Sequence, residues 1–199
     1  MQQFLVGYGS LINPREREKI GLTRDVDLVR VHDYARKWNV QAINQKTYLG
    51  VVPFSSGVMN AVLIPVNDDQ LHQLDDRERA YDRLEVKDVV RAVNESVDHD
   101  PCTKIWIYVP KVEWRSEIPT PRCAVKRRYV DTVMEGCLYY GDQFAAEFIA
   151  TTTLWEQYWF ENRTAPHALR EKIDLLVGRF YPTATQVLTQ LPSSPRSAD

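Results

Sequence analysis

The chain has 199 residues, 44% of them hydrophobic, with 25 Lys and Arg against 27 Asp and Glu for a formal net charge of -2. That length and apolar share suit one sizeable core, and the near-balanced charge gives no reason to bind nucleic acid or a membrane surface, so the expected ligand is small and neutral or anionic. No apolar run approaches a bilayer span and residues 1–3 lack the basic start of a signal peptide, which predicts a cytoplasmic protein. Cys102, Cys123 and Cys137 are odd in number, have no CxxC spacing and sit apart from the four histidines, so neither a disulfide framework nor a metal site is expected.

Residues 4–12 carry an apolar, β-prone run that breaks at Gly7 and Gly9 around Tyr8. These glycines either adopt positive φ or let another group approach the main chain, and the N–H groups of Tyr8, Gly9, Ser10 and Leu11 then face one way. Asn13 and Pro14 read as an N-cap with proline at the first helical position, followed by a polar helical turn over 15–19. Strand, donor-rich turn and helix make a cradle for an anionic or carbonyl group. A tight strand exit, with the glycines serving geometry alone, accounts for the same residues.

Residues 26–31 alternate as a half-buried strand that 32–38 continue less regularly, with Arg36 and Trp38 read as a cation stacked on an indole. From 39 the chain is polar and irregular; 49–54 form a short strand ended by Pro53, 55–57 a turn, and 58–66 a nearly continuous apolar and therefore central strand. Asn67 and Gln70 open a helix that presents Leu71 and Leu74 to the core and runs through 75–79 towards Tyr81. Residues 84–93 return as a strand bulged at 89–90, 103–110 form another, and 111–123 form a loop. Arg122, Lys126, Arg127 and Arg128 are the only basic cluster and read as a solvated face. A helix follows from Tyr129 towards Cys137, and Asp142 caps the next. Trp155, Tyr158, Trp159 and Phe160 sit at helical spacing and read as packing; 166–180 form an amphipathic helix, 183–191 a short one, and 192–199 a disordered tail.

Strands with helices between and after them make an α+β fold in which the cradle needs a chemical partner. A carboxylate at a helix end, with its pKa raised by burial, moves protons near neutral pH. On a helix, Asp75 and Glu78 share a face with Leu71 and Leu74, whereas Asp76 points elsewhere. The pattern ranks Asp75 and Glu78 equally, and surface ion pairs with Arg77, Arg79 and Arg83 explain them as well.

The run from Val6 to Leu11, then the run from Leu74 to Glu78 with Tyr81, then Tyr129 before a helix, resembles the γ-glutamylcyclotransferase superfamily over most of residues 3–150. The resemblance implies a small mixed β-barrel with flanking helices over 1–150, a C-terminal helical extension over 151–191 of the kind some bacterial members carry, and a tail over 192–199. It also breaks the tie: Glu78 is implied as the catalytic group, Tyr8, Gly9, Ser10, Leu11 and Tyr129 as substrate-binding, and Arg77, Tyr81 and Asp75 as supporting. Asn60 and Ala61 stand where a glycine is usual, and Cys123, Ala124 and Arg128 where a proline and a small polar residue are common, departures that bear on the substrate. The implied activity is cofactor-independent cyclisation of a γ-glutamyl amine, amino acid or peptide to 5-oxoproline, with that small molecule as the partner and neither nucleic acid nor membrane. A non-catalytic ligand-binding or interaction module, its aromatic C-terminal segment docking a partner, is the reading from another class.

Overall fold

The computed structural model describes residues 2–42, 46–93, 102–155, 158–178 and 187–189. The strand β1 (Gln3–Gly7) is buried along its whole length, as an unbroken apolar run requires. It lies between β3 (Lys46–Val66), antiparallel, and β6 (Lys104–Pro110), parallel. β2 (Asp27–Ala42) runs antiparallel to β3, β4 (Tyr81–Glu85) flanks β6, and β5 (Val90–Ala92) flanks β2. The path β4–β6–β1–β3–β2–β5 therefore has β4 and β5 at its two edges, yet only residues 86–89 separate them in sequence. The sheet has to curl until those edges meet, which makes a small mixed barrel. The α+β class and the central place of 58–66 are as the sequence predicts.

Four short strands extend this barrel. β7 (Ala124–Lys126) pairs in parallel with the start of β3, β9 (Trp159–Phe160) with β7, and β10 (Val187–Leu188) with β9, while β8 (Thr152–Thr153) joins β2. Helices α1 (Pro14–Glu18), α2 (Asp68–Arg77), α3 (Arg127–Tyr139), α4 (Asp142–Ala150) and α5 (His167–Val177) pack around them. Two helix starts follow the sequence closely. Asn13 Oδ1 accepts the Arg15 N–H at 3.0 Å ahead of Pro14, and Asn67 and Gln70 form a reciprocal capping box at 2.9 and 3.0 Å.

Several elements differ from expectation. Residues 39–42 and 46–50 are strand rather than irregular: β2 and β3 pair antiparallel along most of their length, and 55–57 belong to β3. The turn chemistry found there produces a bulge instead, because the register steps from His32 opposite Val58 to Tyr34 opposite Pro53. Asp33 and Ser56 both take positive φ, and the Ser56 N–H donates to Asp33 Oδ1 at 3.2 Å. Gly57 is required at this step, since a Cβ there would lie 2.6 Å from the Tyr34 carbonyl oxygen. The bulge expected at 89–90 is a 3-10 turn at Lys87–Val89. Asp142 is the first residue of α4, behind Gly141 at φ 106°, and makes no capping bond. Trp155 and Trp159 are buried packing residues, as predicted, but neither lies in a helix. Trp155 stacks edge-on against Trp38 at 5.2 Å, a contact worth about 0.5–1.5 kcal/mol beyond its area, and Trp159 lies in β9. Val187 and Leu188 pair as a strand where a helix over 183–191 was expected, while 183–186, 190, 191 and the predicted tail lie outside the described residues. Among the described residues no helix is long and apolar enough to cross a membrane.

Candidate active site

β1 ends at Gly7, and the chain then leaves the sheet in a short 3-10 turn, Ser10–Ile12. Neither Gly7 nor Gly9 has positive φ, so close approach is the alternative realised. A Cβ on Gly7 would meet Ile64 and Val62 at 2.9 Å, and one on Gly9 would meet the Tyr129 hydroxyl at 3.1 Å. The turn is closed by Ile12 N–H to the Gly9 oxygen and Asn13 N–H to the Ser10 oxygen, both at 3.0 Å. The N–H groups of Ser10 and Leu11 precede the first intrahelical donor and have no acceptor within the turn, and Ser10 bonds the Tyr129 hydroxyl instead.

Two buried arginines fix the other face of this turn. Arg17 Nη1 donates to the carbonyls of Leu11 at 2.7 Å and Ile12 at 2.9 Å. Arg36 reaches the Tyr8 carbonyl at 3.4 Å and the Asn60 carbonyl at 2.8 Å, and its guanidinium stacks on Phe148, not on Trp38, at 3.6 Å. Both side chains are fully buried. With no carboxylate in contact among the described residues, burial pulls the Arg36 guanidinium down to about 9. The two guanidinium groups thus hold the carbonyls of Tyr8, Leu11 and Ile12 from the core side.

A cavity of about 630 Å³ lies at the end of β1. Tyr8, Gly9, Ser10, Leu11, Arg77, Glu78, Tyr81 and Tyr129, all singled out from sequence, line it together. Glu78 does not sit on the helix: α2 stops at Arg77, and Glu78 is its C-cap, its N–H bonded to the Leu74 oxygen at 2.8 Å. The Tyr81 N–H returns to the Glu78 carbonyl at 2.8 Å, which turns the chain into β4 and holds the glutamate at the cavity wall. Burial raises the Glu78 carboxyl above its ordinary 4.5, against the pull of the Arg77 guanidinium, whose Nε lies 3.3 Å away. Arg77 also donates to Ser10 Oγ at 3.3 Å and so joins the two segments. Burial likewise drives the Tyr129 hydroxyl up, with nearby Glu78 adding to it and hydrogen bonds from Ser10 opposing.

Asp75 stands apart from this group. Its carboxylate accepts the Tyr108 hydroxyl at 2.8 Å and pairs with Arg83 at 3.3 Å, so it reaches the cavity only through Tyr108, which lines it. Tyr108 and Tyr48 are lining residues that the sequence reading missed; one lies in an apolar strand and the other in a stretch read as irregular, and neither carries a signal. The basic cluster is a solvated face only in part: Arg122 and Arg128 are exposed, the other two are not. Lys126 is buried and lines the cavity with Arg128, while Arg127 pairs with Glu161 at 2.8 Å and Asp174 at 3.1 Å. The signal available was the placement of Lys126 and Arg128 immediately before Tyr129.

A solved γ-glutamyl cyclotransferase superposes on 88% of this chain and 99% of its own length with a TM-score of 0.60. This chain has the γ-glutamyl cyclotransferase fold. The identity is 12%, a level at which the likeness is one of fold. A human protein described as uncharacterized gives the same TM-score and identity over 87% of this chain and 98% of its own. YkqA of Bacillus subtilis gives 0.53 at 16% identity over 72% of this chain and 51% of its own. No protein-family model matches the sequence, and no curated protein does.

Proposed function

We propose that the chain is a γ-glutamylcyclotransferase-like enzyme that cyclises a γ-glutamyl amine, amino acid or peptide to 5-oxoproline and releases the amine. The observation that carries this reading is that Glu78, Ser10, Leu11 and Tyr129 line one cavity. In such a substrate the α-amine attacks its own γ-carbonyl. A carbon–nitrogen bond closes the five-membered lactam, the original amide bond breaks, and one proton travels from the attacking nitrogen to the leaving one.

Holding the glutamyl chain folded so that amine and carbonyl touch is the main service, worth on the order of 7–11 kcal/mol for an oriented intramolecular attack. In this reading the N–H groups of the 8–11 turn orient the substrate carboxylate or stabilise the oxygen as charge develops on it. Glu78 takes the proton and returns it. A glutamate at its ordinary value is a poor base for an amine of about 8, and the burial that raises Glu78 narrows that gap. Arg77 keeps the carboxyl oriented, and Tyr81, whose hydroxyl donates to the Leu49 carbonyl at 3.1 Å, walls the site. The reaction as written calls for neither metal nor cofactor. In the same reading residues 1–150 form the catalytic unit, 151–191 brace it, and the enzyme works in the cytoplasm.

Incubation with a panel of γ-glutamyl amines, amino acids and peptides, with 5-oxoproline as the readout, tests it. Product from at least one member, and its loss in Glu78→Gln, is expected; no product from any, or full activity in that variant, removes the proposal.

A further inference from the structure

The cavity contains more positive charge than the proposed reaction uses. Of its ionisable lining residues, Glu16 pairs with Lys19 and Glu78 with Arg77. Lys46, Lys126 and Arg128 have no carboxylate within ion-pairing distance among the described residues. They come from the start of β3, the end of β7 and the first turn of α3, which the parallel pairing of β3 with β7 brings together.

Lys126 is the N-cap of α3, a helix of 13 residues; its own side chain makes no capping bond, and the Arg128 N–H donates instead to Asn162 Oδ1 at 3.1 Å. Its side chain is buried, with 7% exposure for the residue, and its ammonium lies 3.9 Å from the Phe160 ring centroid with no carboxylate beside it. A cation at the N-terminal end of a helix is opposed by the helix dipole, and burial without a counter-ion raises the cost further. Lys46 is near enough to add its own repulsion, so the Lys126 ammonium is pushed below its ordinary range by burial first and by Lys46 second. The neighbouring Arg127 is neutralised by Glu161 and Asp174, whereas Arg128, which is exposed, has no carboxylate partner among the described residues. Among the described residues these three cations face no carboxylate, and only the Phe160 ring lies against the buried one, so the wall gains most when an anion lies against it.

We infer that the first turn of α3 and Lys46 form an anion subsite for the leaving portion of the substrate, and that the favoured γ-glutamyl compound releases an amine with two negative charges, as a dicarboxylic amino acid has. This rests on the function proposed above. One carboxylate offsets one cation, so a leaving group with two matches the charge on this wall better than a monocarboxylate. A neutral alkylamine leaves all three cations uncompensated, and a leaving portion with a second ammonium adds to the repulsion.

The test titrates the full-length Glu78→Gln protein by calorimetry with γ-glutamyl-glutamate, its near-isostere γ-glutamyl-glutamine and γ-glutamyl-propylamine. The glutamate compound is expected to bind about tenfold more tightly than the glutamine compound at low salt, the ratio of one good charge-assisted contact. In Lys126→Met that ratio falls towards one. Because Lys126 is buried, Arg128→Gln, at an exposed residue, is the second variant, with an expected fall in the ratio of about threefold. Equal affinity for the glutamate and glutamine compounds overturns the subsite, as does a ratio that neither variant changes. Turnover by the unsubstituted protein separates the two proposals. Equal kcat/KM for all three compounds sinks the subsite and keeps the cyclase, whereas a binding preference with no 5-oxoproline from any compound keeps the subsite and sinks the cyclase.

Discussion

The Tyr129 hydroxyl and the backbone of Gly9 are in such close contact that a single methyl group on Gly9 would lie 3.1 Å from that oxygen. Two segments 120 positions apart are therefore fitted to each other to within a few tenths of an ångström at the mouth of the proposed site. The fit is set further along α3, where Gly136 rests against Asn13 so closely that a Cβ would fall 2.6 Å from the Asn13 nitrogen. Tyr129 and Gly136 are two helical turns apart and so share a face of α3. That face is the ruler that spaces the tyrosine from the amide turn.

Gly9→Ala should displace Tyr129 rather than unfold the chain. A loss of about 1 kcal/mol in stability is expected, with kcat/KM for 5-oxoproline formation down about tenfold. Removing the oxygen that the methyl meets should relieve the strain, so Gly9→Ala costs less stability in a Tyr129→Phe background. A double-mutant cycle by urea denaturation measures that coupling, and strict additivity would show that the contact is slack.

Glu78→Gln should lower kcat by about 10²–10⁴ and leave the fold intact, because the backbone of Glu78, not its side chain, ends α2. The sign of its pH effect is fixed by the raised pKa. A carboxyl raised by folding binds its proton more tightly in the native state, so its stabilising contribution is full below the unfolded value of 4.5 and is lost as pH rises through the folded one. Substitution by Gln should remove that fall in stability, as read by thermal melts across pH. In the unsubstituted enzyme the acid limb of kcat/KM should have its midpoint above 4.5. Asp75→Asn, acting only through Tyr108, should cost under about tenfold.

The parts of this architecture that were legible in the sequence are those set by local chemistry. Asn13-Pro14 and the Asn67/Gln70 box each satisfy their own backbone, so a few residues suffice to find them. The apolar run of 58–66 advertises a strand covered on both faces. What escaped depends on partners distant in sequence. Lys126 reads as solvated until β3, β7 and β9 come together around it, and Tyr48 reads as loop until the hairpin is long enough to carry it. Turn-forming residues at 55–57 gave a bulge because the strand partner, β2, runs on past them. Arg17 sits in a polar helical run, and only the carbonyls that converge on it explain why it is fully buried.

Arg36 makes a prediction about shape rather than charge. Its guanidinium also donates to Thr152 Oγ1 at 2.7 Å, Asn60 Oδ1 at 3.0 Å and the Phe148 carbonyl at 3.2 Å, so it satisfies acceptors from several elements at once. An ammonium has neither the planar fork nor the reach to do this. Arg36→Lys should therefore destabilise the protein by about 1–3 kcal/mol through acceptors left buried and unpaired, and Arg36→Met by at least as much. Equilibrium unfolding in urea measures both, and a lysine variant as stable as the original would mean that charge alone is needed.

The last prediction concerns what steadies α3. Asp131, on the helix that carries Tyr129, accepts Arg163 Nη2 at 2.7 Å and Nε at 2.9–3.0 Å, with both side chains only 5% exposed. Arg163 Nη1 also donates to Asp174 on α5 at 2.6 Å, and Asp174 accepts Arg127 in turn. Breaking one side of such a pair strands the other charge away from water, so Asp131→Asn should cost about 3–5 kcal/mol, towards the lower figure because Asp174 still faces Arg163. Removing both partners with apolar residues of similar size, Asp131→Leu with Arg163→Met, should cost less than the single change, since no charge is then left uncompensated. Urea denaturation of the two variants decides the matter: if the double variant is the less stable one, the network contributes net attraction, and the bracing of the tyrosine-bearing helix is electrostatic rather than a matter of packing.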